Sequence, residues 1–260
     1  MGKMNEHGKF TPFPGLSVIS SIHSEDEPFW KNIFNFLQQD PLIAEHYSLL
    51  PLSSYHMTTY NLFVQNHTSE DQWLEFIDKN LTFFQLMHEH LLMFLNFSPS
   101  IIQSTKIITK PVLQLVVDIS PVQKEKIVSI ASFFNLSKNI AFPFHITLGY
   151  QLKELNHADQ EKIEKTLWAN VHKLMLPDTV LSLKPPTLSY FNDMTAFIPW
   201  DGRINPFRTS STSMLDSSPP LQEKPLVANS FSQNSNNTFF SGEKNNSTNQ
   251  DEFTNKNSLK

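Results

Sequence analysis

The sequence predicts an α+β fold with an antiparallel-leaning sheet and two related lobes. Three observations carry that reading. Short β-rich apolar runs alternate with stretches whose apolar residues recur at helical spacing. Two of the resulting strand–helix–strand segments read alike, and each closes on a strand whose second residue is a histidine.

In the first segment, Pro14-Gly-Leu-Ser-Val-Ile-Ser-Ser-Ile22 is a strand, and Ser24-Glu-Asp-Glu caps and charges the start of a helix that tolerates Pro28 in its first turn. Trp30, Ile33, Phe34 and Leu37 follow at helical spacing, and Tyr55-His-Met-Thr-Thr-Tyr-Asn-Leu-Phe63 is the closing strand. In the second, Val112 to Ile119 is the strand, and Ser120-Pro121 opens the helix. Ile127, Ile130, Ala131 and Phe134 share one helix face, and Phe144-His-Ile-Thr-Leu-Gly-Tyr150 closes the unit. Pro28 precedes His56 by 28 residues and Pro121 precedes His145 by 24. Between and after these units, Ser69-Glu-Asp-Gln opens one long amphipathic helix to about Leu95, and a charged helix runs from Asn156 to Leu174. Thr179 to Leu183, Thr187 to Phe191 and Thr195 to Ile198 read as late strands.

Composition narrows the function classes. The chain has 260 residues, a formal net charge of −5 and no cysteine, which excludes a disulfide framework, a thiol nucleophile and any thiolate metal site. Arg203 and Arg208 are the only arginines, so the dense basic footprint of a long-duplex binder is missing, while a small anionic ligand or a short nucleic-acid end fits. The first ten residues lack the apolar core of a signal peptide, and Gln85, His88, Glu89, His90 and Asn96 interrupt the longest apolar region. A soluble cytoplasmic protein without a membrane segment is expected.

Composition also sets the expected domain boundary. From Phe207 to Lys260, 25 of 54 residues are Ser, Thr or Asn, too little apolar surface to offset chain entropy. Residues 10–206 are therefore expected to form the folded domain. Residues 207–260 are expected to form a disordered tail whose scattered phenylalanines are bare aromatics or contact points for a protein partner.

Four His-x-Ser/Thr triplets occur, beginning at His46, His56, His67 and His145. Ten histidines and 45 Ser or Thr in 260 residues make one or two of them expected by chance. Context separates them. His46 falls at a helix end and His67 in a polar turn, whereas His56 and His145 lie on strands, where positions i and i+2 point to one side. Thus His56 pairs with Thr58, and His145 with Thr147, as imidazole–hydroxyl sets on one sheet face. Packed about a pseudo-twofold axis, the two lobes bring both sets to a central cleft. Two imidazoles there suit general acid–base cleavage of a phosphodiester, one taking a proton from water and the other giving one to the leaving oxygen. The two hydroxyls hold the non-bridging oxygens without a metal. His88 and His90 diverge on their helix and no acidic cluster completes a ligand set, so neither a metal nor any other cofactor is expected.

Tyr55-His-Met-Thr-Thr-Tyr and Phe144-His-Ile-Thr-Leu-Gly-Tyr resemble the paired His-hydrophobic-Thr/Ser-hydrophobic signatures of the two-histidine (2H) phosphoesterase superfamily, which includes LigT-like cyclic phosphodiesterases. Phe13-Pro-Gly15, Ser53 to Thr58 and Phe191-Asn-Asp-Met194 resemble an uncharacterised branch of it. The resemblance spans about Phe10 to Trp200 and implies a bilobal fold with metal-independent action on cyclic or linear phosphodiesters, commonly 2′,3′-cyclic nucleotides or RNA ends. It carries over His56 and His145 as catalytic residues and Thr58 and Thr147 as substrate contacts. Thr59 departs from the pattern, standing where a hydrophobic residue is usual.

By period two, Tyr60 continues the His56 face, either stacking on a base or capping the cleft, and Gly149 takes the equivalent place after Thr147. Tyr55 and Tyr150 fall on the opposite faces, as core or rim. Lys106, Lys110, Lys184 and Arg203 are cations whose default is solvated surface. The expected function is a phosphodiesterase acting on a small cyclic-phosphate nucleotide or an RNA 3′ end. The alternatives are a non-catalytic phosphate-binding module and an interaction protein acting through its tail.

Overall fold

A computed structural model describes residues 2–22, 28–65, 68–175 and 180–208. The Ser24 cap, the His67 turn, Thr179 and the tail from Thr209 lie outside the described residues. In chain order the elements are β1 (Gly15–Ser21), α1 (Pro28–Gln39), α2 (Pro41–His46), β2 (Tyr47–Leu49), β3 (His56–Val64), α3 (Glu70–Lys79), α4 (Leu81–Leu92), β4 (Ser100–Ile108), β5 (Val112–Ile119), α5 (Pro121–Phe133), β6 (His145–Gln151), α6 (His157–Leu174), β7 (Leu181–Ser182), β8 (Thr187–Phe191) and β9 (Ile198–Pro199). The fold is α+β, as expected.

Among the described residues, nine strands join one antiparallel sheet in the order β7-β4-β5-β6-β3-β1-β8-β9, with β2 paired to β6. Each lobe holds one anticipated unit. In the first, β1 and β3 pair directly with α1 between them in sequence; in the second, β5 and β6 pair directly with α5 between them. The lobes meet where β3 touches β6. Helix faces bury the residues that the spacing marked: Trp30, Ile33 and Leu37 on α1, Ile127, Ile130 and Ala131 on α5, and Ile163, Leu167 and Val171 on α6. At about 25 cal/mol per Å² of apolar surface removed from water, these stripes are what holds helices to sheet. Asn156 caps α6 through a bond accepted from the Asp159 amide, and Ser120 caps α5 by accepting from Gln123.

Three expectations need correction. The long helix from Ser69 breaks at Asn80, whose side chain donates 2.7 Å to the Phe76 carbonyl and whose φ of −109° leaves the helical region. The apolar series Trp73, Ile77, Phe84, Met87, Leu91 keeps helical phase across the break, so periodicity alone reads one helix where local side-chain competition makes two. Strand β4 escaped the sequence reading because two register shifts against β5 destroy its period-two alternation. Finally, the folded unit extends beyond 10–206 at both ends. Met4 bridges to Phe10, and the Thr11 amide donates to the Lys3 carbonyl. Phe207 packs on Trp73 and Tyr190, and Arg208 bonds Asp78 through its Nε at 2.9 Å.

The C-terminal crossing over α4 depends on Gly202. Its φ is +77°, and a Cβ there meets the Gln85 amide nitrogen and the Phe84 carbonyl carbon, backbone that cannot move aside. Gly202→Ala is expected to cost about 2 kcal/mol or more, roughly 4–8 °C in Tm, in a thermal melt. An unchanged Tm would mean that the crossing is not held against α4.

Candidate active site

Met57 and Ile146 separate His from Thr in the two motifs, and they are cross-strand partners where β3 meets β6. Both are fully buried. In antiparallel pairing the neighbours of a partnered pair oppose one another in crossed order, at about 5 Å between Cβ atoms. His56 therefore faces Thr147 and Thr58 faces His145, all four on the side away from the Met57–Ile146 core. The four line one cleft of about 250 Å³. The sheet contact thus joins the two lobes at equivalent residues, as the pseudo-twofold reading requires.

Each imidazole is held alike. His56 Nδ1 lies 2.7 Å from the Ser54 carbonyl and His145 Nδ1 lies 2.9 Å from the Pro143 carbonyl, each two residues upstream. A carbonyl only accepts, so both Nδ1 atoms carry their proton and each ring leaves Nε2 free to exchange one. Gln114 Nε2 donates to Thr147 Oγ1 at 3.5 Å, orienting that hydroxyl from the neighbouring strand.

The two rings differ in surroundings. Phe197 lies 4.0 Å from His56 between ring centroids and is itself backed by Phe191 at 4.9 Å. Desolvation is the main cause that lowers His56 to about pH 4. The charges of His145 and Lys3 add to it, and the bond to Ser54 opposes it.

Beyond the threonines, the expected residue faces change. Against β1, the partners of Val18 and Ile19 are Tyr60 and Thr58, so Thr59 is an extra, bulged residue. Against β5, Leu113 and Gln114 pair with Gly149 and Thr147, so Leu148 is the extra residue at the equivalent place. Both bulges flip the alternation by one. Tyr60 is therefore not a cleft residue: it is 2% exposed and its hydroxyl donates 2.7 Å to the Ile127 carbonyl of α5. Gly149 is likewise buried, under β2, where a Cβ would stand 2.9 Å from the Ser48 carbonyl oxygen. Asn61 and Tyr150, each three residues after its threonine, line the cleft instead. Tyr55 is core, as one of its two readings had it, whereas Tyr150 is half-buried against the core and also lines the cleft. Thr59 fits its buried position because its hydroxyl donates 2.9 Å to the Val18 carbonyl.

Sequence reasoning missed Lys3, Asn61, Gln114, Tyr150 and Phe197 in this cleft. The shared spacing of Asn61 and Tyr150 from the two threonines was the available signal; Lys3 and Phe197 arrive from distant segments and left none. None of the four cations weighed earlier lines the cleft. Lys110 donates to the Leu155 carbonyl at 2.7 Å, Arg203 faces Asp201, and Lys106 borders a separate groove between β4 and α6. His46, at the end of α2, has a buried Nδ1 with no hydrogen-bond partner, and His90 stacks on Phe133 at 4.3 Å. Among the described residues no three His, Cys, Asp or Glu side chains gather as a ligand set, and no helix is long and apolar enough to cross a membrane.

Comparison with known proteins bears on this arrangement. Residues 3–106 match the 2H-phosphodiest family, described as a domain of unknown function (DUF1868). Uncharacterized protein 127L of Invertebrate iridescent virus 6 is 24% identical over 222 residues, covering 76% of this chain and 94% of that protein. Among solved structures, the conserved protein of unknown function ATU0111 from Agrobacterium tumefaciens shares the fold. Its TM-score is 0.59 at 19% identity, over 76% of this chain and 89% of its own. Escherichia coli LigT complexed with NADP+ overlaps with a TM-score of 0.40 at 13% identity, over 72% of this chain and 95% of its own. The first His-x-Thr strand lies inside the stretch that is similar to the 2H-phosphodiest family, and the second pairs with it across the sheet.

Proposed function

We propose that this chain is a phosphodiesterase that cleaves a small cyclic nucleotide phosphate or the phosphodiester at an RNA end, with His56 and His145 as general base and general acid. The observation that supports it is the Met57–Ile146 pairing, which sets two imidazoles and two hydroxyls around one cleft. A cyclic phosphate seated there has its non-bridging oxygens within reach of the Thr58 and Thr147 hydroxyls, which donate to the charge that grows on them. His56, kept neutral by burial, takes a proton from the attacking water through Nε2 as the new P–O bond forms. His145, as the general acid, gives its Nε2 proton to the ribose oxygen that leaves as the ring opens. The product is a nucleoside monophosphate, and exchange with solvent returns both rings to their starting states. The folded unit performs this chemistry.

A panel of 2′,3′-cyclic nucleotides, followed by phosphorus NMR with and without EDTA, tests the proposal. Hydrolysis that EDTA leaves intact is the expected result. Loss to chelator with restoration by a divalent metal would replace the two-histidine mechanism with a metal one, and saturable binding without turnover would make the cleft a recognition module. The pH profile assigns the roles. A base competent once deprotonated puts the acidic limb of kcat/KM near pH 4, well below the 6.5 of an ordinary histidine, because His56 is held down to about 4. An acidic limb at 6.5 or above would remove His56 from the role of base.

A further inference from the structure

Lys3 reaches the cleft from the amino-terminal segment and has no acidic partner there. Its Nζ donates to Tyr150 Oη at 3.4 Å and lies 5.4 Å from the Phe13 ring centroid and 5.2 Å from that of Tyr150. Among the described residues it forms no ion pair with Asp or Glu, and Glu6, close to it in sequence, faces His7 at 3.6 Å in solvent. Desolvation by burial pulls its ammonium below the ordinary lysine value. A half-buried cation held by two rings and one phenol is under-compensated, and an anion is what completes it.

Lys3 and the His/Thr quartet line the same cleft. Tyr150 lies three residues beyond Thr147 on β6, under about 10 Å along the strand even without the bulge between them. That spacing puts Lys3 and the quartet within the reach of a single nucleotide. The chain that carries Lys3 is itself fixed, through the Met4–Phe10 bridge and the Phe13 amide, which donates 2.7 Å to the Asn192 carbonyl.

Resting on the reading of the quartet as a phosphodiester site, we propose that Lys3 forms a second phosphate subsite, so that the substrate is a phosphodiester bearing an additional phosphate group. A nucleoside 2′,3′-cyclic phosphate that also carries a 5′-phosphate is the simplest member of that class.

The test compares wild type with Lys3→Met, which keeps an apolar stem and removes the charge. Substrates are adenosine 2′,3′-cyclic phosphate with and without a 5′-phosphate. Calorimetric titrations with adenosine 3′-phosphate and adenosine 3′,5′-bisphosphate give the same comparison without turnover, and a thermal melt checks that the variant is folded. Wild type is expected to favour the 5′-phosphorylated member of each pair by about tenfold or more, the worth of one charge-assisted contact, and Lys3→Met to bring both ratios near unity. Equal binding of the two ligands by wild type, or binding of neither, would overturn the subsite. So would a preference that survives in Lys3→Met, or a variant that weakens both members equally, which would place Lys3 on the scissile phosphate. Absence of turnover with the binding preference intact and lysine-dependent would instead overturn the phosphodiesterase reading and leave the subsite standing.

Discussion

Replacing His56 or His145 by alanine is expected to lower kcat on a 2′,3′-cyclic nucleotide by about 10²- to 10⁴-fold, the range that a positioned proton donor or acceptor supplies. Both rings are half-buried at the cleft rather than in the core, so both variants should melt close to wild type. Under the proposed mechanism both rings act on one transition state, so the double variant should lose little more than the worse single one. Steady-state kinetics beside a thermal melt of each variant makes the check. A folded single variant that keeps activity within about tenfold would remove that histidine from the proton-transfer step.

Tyr60→Ala should instead be a stability mutation. Removing a ring that is 2% exposed leaves a cavity between β3 and α5 and costs about 3–5 kcal/mol, read as a Tm lower by roughly 10 °C. Tyr60→Phe keeps the ring and loses the bond to the Ile127 carbonyl, for about 1 kcal/mol. Asn61→Ala is the mirror case, because Asn61 is exposed and lines the cleft: its stability should stay within about 0.5 kcal/mol while KM rises. The measurement is denaturant unfolding beside steady-state kinetics. A Tyr60→Ala protein as stable as wild type but with raised KM would return Tyr60 to the cleft and refute the bulge at Thr59.

Much of the architecture was legible in advance, for local reasons. The Ser120 cap and Pro121, the Asn156 cap, and the apolar spacing on α1, α5 and α6 act within a few residues, where capping and periodicity operate. The pairing of His56 with Thr58 and of His145 with Thr147 was legible for the same reason, because alternation on a strand is a property of adjacent residues. What failed was any inference carried past an irregularity. The Asn80 break is a contest between a side chain and the helix backbone, and period two stops being informative at the Thr59 and Leu148 bulges. A bulge is visible only against a partner strand.

Composition and local pattern thus announced an α+β chain with two related units and two histidine–threonine strands, since those signals live in the one-dimensional order of residue types. Assembly settled the rest. The joining of the lobes at Met57 and Ile146, the drying of His56 by Phe197, and the arrival of Lys3 and Gln114 at the same cleft all depend on contacts between residues far apart in the chain. Burial shifts a proton affinity, and a cross-strand pair sets a distance, only when distant segments meet. A one-dimensional reading carries neither quantity.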